Sequence, residues 1–313
     1  MESEEILNIY LGQDEHYITL EEMNKIVYCV NAIGNSLAEK IFMPQSQKAI
    51  LIYPCENGSF KIKIGVVVFG AWALMSWFGD TDSGKAFIKG LTGHETPYYW
   101  EKGGELLRDV IKGVLESDIS KLEYINNVNT GNRYILDKCI KEKSEFYEII
   151  NKSETIKSIS FNANNKDPIK KNLFYTHIKK GDIIRTLEPN YQIRDFVIVK
   201  SINTEKQSKW TFKEIDNNKS INAEIRDKNF ITQFLNGKHP LKEGNQDDVI
   251  KALLCIETVM KNGSKESEQY FIEEIFNFNE NRIKDIPQEF EKYLQKKYDY
   301  KNPSLFDFNL SEQ

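Results

Sequence analysis

Apolar residues recur at helical spacing over much of the first half of the chain and at strand spacing over much of the second. Glu5 to Leu11 predicts a strand. Thr19 then opens a helix, with Glu22 three residues later completing a capping box. Leu20, Met23, Val27, Val30, Leu37 and Ile41 follow at steps that place them on one apolar stripe. KAILIYPC (48–55) and SFKIKIGVVV (59–68) flank Glu56-Asn57-Gly58, and Asn-Gly between two β-branched runs predicts a hairpin.

The second arm of that hairpin enters IGVVVFGAWALMSWFG (64–79), sixteen residues without a charge. Phe60, Ile62, Ile64 and Val66 alternate with Lys61, Lys63 and Gly65, the period of a strand with one wet face. If the strand ends near Val68, about ten residues remain for an apolar helix, and they rise roughly 15 Å, half a bilayer core. The expected reading is a buried strand followed by a core helix. The alternative is a segment, carried by Phe69, Trp72, Leu74, Trp77 and Phe78, that enters a membrane or an oligomer after activation.

From 81 to 155 the period is helical. Leu106, Leu107, Val110, Ile111 and Val114 mark one segment, and Ile135, Leu136, Cys139, Ile140, Phe146, Ile149 and Ile150 mark a longer one. Lys138, Lys141, Glu142, Lys143 and Glu145 are read as the solvated face of the latter. GDTDSGKA (79–86) matches G-x-x-x-x-G-K, but Ala86 stands where a magnesium-binding hydroxyl belongs, and Asp80 and Asp82 would repel phosphates. As a calcium loop it lacks the required Gly and Glu. It is read as a polar loop between helices.

NANNKDPIKKN (162–172) is polar and holds a proline, and a domain boundary is placed there. Beyond it come short β runs at 194–202, 209–214 and 220–225, and a short helix at 227–236. The runs at 249–259 and 269–278 are joined by Lys261-Asn262-Gly263-Ser264. Five strands and a helix in under 100 residues predict a small barrel of OB-like or SH3-like size. The expected fold class is α+β. An α/β domain would cover 1–161, a polar and basic linker 162–182, the barrel 183–280, and a charged helix near Gln288 to Tyr298 with a tail the stretch 281–313.

KWTF (209–212), INAEIRDKNF (221–230), LKEG (241–244) and YFIEEI (270–275) resemble a bacterial family in which a similar barrel follows an α/β half with an apolar segment. Asn245-Gln246 is an insertion against that family's pattern. The resemblance implies a mobile-element or defence setting and supplies no activity.

Composition narrows the chemistry. Forty per cent apolar and 12% aromatic residues suffice for a sizeable core. A net charge of −5 gives the whole molecule no pull toward nucleic acid or anionic lipid, so such a surface must be local. Cys29, Cys55, Cys139 and Cys255 are scattered and the first residues are acidic, which together point to a reducing cytoplasm. The four histidines form no zinc motif, G-x-S-x-G is absent, and no cofactor or metal is expected.

The local surface lies between Lys166 and Lys213, where eleven Lys/Arg outnumber five Asp/Glu. Lys170, Lys171, Lys179, Lys180, Arg185 and Lys209 would track phosphates while Trp210 and Phe212 stack on bases. Alternatively the two rings share one strand face and fill the barrel. The expected role is a non-enzymatic defence or mobile-element component whose barrel recognises a nucleic acid, a nucleotide or a partner protein. A pore-forming effector, an enzyme without a recognisable motif, and homo-oligomerisation stay open.

Overall fold

In the computed structural model, which describes residues 3–13, 18–42, 47–53, 61–69, 81–99, 102–129, 134–161, 168–200, 209–242 and 247–287, the chain divides into two units. The first comprises residues 1–185 and 260–264, and the second comprises 186–259 and 265–313.

The first unit opens with β1 (Ser3–Gln13) and α1 (Leu20–Ile41), then β2 (Gln47–Tyr53) and β3 (Lys61–Phe69). α2 (Asp82–Thr92), α3 (Gly103–Glu116), α4 (Ile119–Tyr124) and α5 (Asp137–Lys152) follow, then β4 (Ile156–Ser160) and β5 (Ile169–Lys170). The sheet order is β2-β3-β1-β4-β5, antiparallel throughout. Alternation does the sorting: Leu7 pairs with Ile64 and Ile9 with Ile62 on the buried face, while Asn8 pairs with Lys63 on the other. α1 and α3 cover the buried face, and α5 packs on both.

α1 begins as its sequence demands. Thr19 caps it, with the reciprocal Glu22 contact in place at 3.0 and 3.1 Å. Its buried stripe is Ile26, Cys29, Val30, Ile33, Leu37 and Ile41, while Leu20 is 73% exposed. α2 and α3 approach so closely that a Cβ on Gly113 would lie 2.3 Å from the Leu91 carbonyl oxygen.

Two expected loop or linker segments of this unit are folded instead. GDTDSGKA is not a loop from Thr81 onward, because Thr81 caps α2 through Gly84 N–H at 3.0 Å and Asp82 to Ala86 are helical. The expected linker is not a linker from residue 168 onward. β5 pairs with β4, and Phe174 and His177 in the 3-10 turn Lys171–His177 are buried in the first core.

The second unit is a closed five-stranded barrel. After β6 (Ile184–Thr186) come β7 (Asn190–Lys200), β8 (Trp210–Glu214), β9 (Ser220–Ile225), α6 (Lys228–Leu235), β10 (Val249–Lys261), β11 (Ser264–Phe278) and β12 (Asn281–Arg282). Neighbours around the barrel run β7-β8-β9-β11-β10 and back to β7, with β9 and β11 parallel. Numbered within the barrel, the strands close as 1-2-3-5-4-1, and the helix falls between the third and fourth. That connectivity is the OB fold. Phe196, Phe212, Ile221, Ala223, Ile250, Leu254, Ile272 and Phe278 fill it, and Phe230 and Phe234 of α6 join the same core. Asn262 (φ 50°) and Gly263 (φ 73°) turn β10 into β11, as Asn-Gly does in two-residue hairpins.

Candidate nucleic-acid interface

The register of β7, β8 and β9 decides which side chains leave the barrel. Trp210 pairs with Ala223 and Phe212 with Ile221, all four buried, so the intervening residues face out. Thr211 lies between Lys200 and Asn222 in one row, and Lys213 between Val197 and Ser220 in the next. Thr211 Oγ1 donates to Asn222 Oδ1 at 2.9 Å. Lys200, Lys209 and Lys213 are exposed, and strand alternation sets Lys209 on the side of Thr211 and Lys213. The face therefore carries three ammonium groups around a polar Thr–Asn pair. Asp195, on the same face of β7, is held across the sheet by Lys251 at 3.7 Å. Tyr191, 41% exposed, is the aromatic of β7 open to solvent.

The other residues expected to bind are dispersed. Trp210 (4% exposed) and Phe212 (0%) stack on each other inside the barrel and, as placed, offer no face to an external base. Lys171 Nζ donates to the Ser153 carbonyl at 2.5 Å, and Lys179 pairs with Glu123 at 2.7 Å. Arg185 forks onto buried Asp137 at 3.1 and 3.2 Å and lies over the Tyr134 ring at 4.3 Å. Asn126 Nδ2 donates to the same carboxylate at 2.7 Å, which makes Arg185 part of a buried network. Lys170 and Lys180 remain exposed, and both belong to the first unit. Comparison with known protein families, curated proteins and solved structures finds no match.

Sequence reasoning passed over Lys200 and Lys213 as individuals. The signal was present: once Trp210 and Phe212 are assigned inward, alternation forces Lys209, Thr211 and Lys213 outward.

A second polar concentration lies inside the first unit. Lys143 is fully buried and its amine has no hydrogen-bond partner, contrary to its expected place on a solvated face. It lies 5.5 Å from the Tyr147 ring, which stacks on His177 at 4.4 Å. Tyr147 donates to the Leu115 carbonyl at 2.9 Å, and His177 Nδ1 donates to the Ser117 carbonyl at 3.1 Å. Burial drives the Lys143 ammonium well below its usual range. Burial and the Lys143 charge together push His177 down to about 4. Glu142, also expected in solvent, is 7% exposed.

Of the apolar segment, Phe69 ends β3 opposite Gln47. Trp72, Leu74, Trp77 and Phe78 lie outside the described residues, as do Cys55 and the expected helix from Gln288 to Tyr298. No helix among the described residues is long and apolar enough to cross a membrane.

Proposed function

We propose that the barrel is the recognition module of this chain and that its outer β7–β8–β9 face takes single-stranded nucleic acid. The observation that carries this reading is the placement of Lys200, Lys209 and Lys213 beside Thr211 and Asn222. That is the barrel side on which OB folds commonly hold oligonucleotides. Phosphates are neutralised by the lysines, and the Thr–Asn pair supplies hydrogen bonds. With Trp210 and Phe212 inside, stacking contributes little, so binding is dominated by charge. The wider setting, a non-enzymatic part of a bacterial defence or mobile-element system, rests on the resemblance of residues 209–275. A protein partner is the second reading, favoured by Val199 (58% exposed) and Ile215 (46%) near the lysines.

Fluorescence anisotropy with labelled single-stranded DNA and RNA tests the first reading. Neutralising three phosphates gives a log–log salt slope of about −2. Changing Lys200, Lys209 and Lys213 together to Glu should weaken binding at least tenfold, whereas changing Lys170 and Lys180 should leave it unaltered. Absence of a shift at low salt with the native protein would overturn the reading in favour of a protein partner.

A further inference from the structure

We propose that Cys29, Glu142 and Glu145 form a binding site for one divalent cation of the zinc class. The three side chains come from two packed helices, Cys29 from α1 and the two carboxylates from α5, and donor atoms of all three lie within 4.8 Å of one another. Glu142 and Glu145 stand three residues apart and so share a helix face. Cys29 is 2% exposed and Glu142 7%.

Cys29 and Glu142 are buried beside the exposed Glu145, and among the described residues the cations acting on Glu142 are Lys138 and Lys141 of the same helix. Lys141 reaches Glu145 at 3.5 Å, but that pair is nearly half exposed and contributes little. The second observation is Glu142 Oε2, which is buried and has no hydrogen-bond partner. Buried carboxylate oxygens are otherwise almost always satisfied, and an ion is one of the few things that satisfies them.

The donor set selects the ion. A thiolate discriminates against magnesium and calcium, and mixed sulfur and oxygen donors suit zinc or cobalt. Bond lengths of about 2.3 Å to sulfur and 2.0 Å to oxygen place donors about 3.5 Å apart, so donors that lie within 4.8 Å of one another need close in by no more than roughly an ångström. Glu145, whose side chain is 47% exposed, has the freedom to make that movement and opens the route from solvent. Coordination releases the thiol proton to solvent. Three protein donors leave the fourth position to water.

The test uses the untagged full-length protein after chelator treatment, with cobalt(II) as the probe and zinc(II) as competitor. One cobalt per chain should bind, with a thiolate-to-cobalt charge-transfer band that zinc abolishes. Cys29→Ser should remove the band, Cys139→Ser should retain it, and Glu145→Gln should weaken cobalt binding at least tenfold. If Cys29→Ser does not fold by circular dichroism, Glu145→Gln at its exposed position decides. No band, a band surviving in Cys29→Ser, or unchanged affinity in Glu145→Gln would each overturn the site.

Discussion

The Lys143 amine is enclosed without a hydrogen-bond partner, and what offsets its burial is the Tyr147 ring and the charge of Asp118. Leaving such a group unsatisfied costs about 1–3 kcal/mol. Lys143→Met keeps the volume and discards the amine, so it should raise stability by that amount in urea denaturation near neutral pH; a loss would show the ring contact outweighs desolvation. His177 makes a separate prediction. Its folded pKa of about 4 lies below its ordinary 6.5, because burial and Lys143 disfavour the proton. The unfolded chain therefore binds more protons between these values. His177 contributes stability in full above about pH 6.5, and that stability is lost as pH falls toward 4. The slope reaches about 1.4 kcal/mol per pH unit. In His177→Gln this part of the pH dependence should vanish while that of the carboxylates persists. An unchanged slope would mean that the imidazole takes up its proton without opening the structure.

Among the elements, those governed by one wet and one dry side were the most legible. The Thr19 cap is a local arrangement of four residues, and every barrel strand lies within a few residues of its expected span. α5 was misread for a physical reason. A periodic stripe reports one buried face, but α5 is packed by α1, by α3 and by the turn Lys171–His177, so Glu142 and Lys143 are enclosed behind the stripe. The inward choice at Trp210 and Phe212 also required neighbours, since alternation within one strand does not say which side is the core. The β10–β11 turn carries a constraint that Asn-Gly alone does not reveal. A Cβ on Gly263 would lie 2.6 Å from the Lys138 backbone nitrogen, at a φ of 73° that disfavours any side chain. Gly263→Ala should therefore destabilise the protein by more than about 1 kcal/mol, read as a lower denaturation midpoint. Equal stability would show that this approach relaxes freely.

At the scale of the whole chain, the first unit is discontinuous, because it recruits residues 260–264. Asn262 Oδ1 accepts from Ile183 N–H at 2.8 Å, and its Nδ2 donates to Asp182 at 2.8 Å. Its own N–H donates to the Ile183 carbonyl at 2.8 Å, and Lys261 pairs with Asp182 at 3.0 Å. A chain ending at Arg185 lacks all four, and the two bonds to the Ile183 backbone alone, at roughly 0.5–1.5 kcal/mol each, should cost it about 1–3 kcal/mol relative to the same unit in the intact protein. Hydrogen exchange at Ile183 in the two chains measures the difference, and equal protection would show that the recruited residues add nothing. The same discontinuity sets an order of events on the ribosome. Asp182 and Ile183 leave the exit tunnel long before the turn that completes them. At about 5–20 residues per second the wait is roughly 4–16 seconds, and four barrel strands are made within it. The unit that is synthesised first thus waits for its last five residues until four of the five barrel strands have been made, and in that interval its open end is exposed to chaperones and proteases.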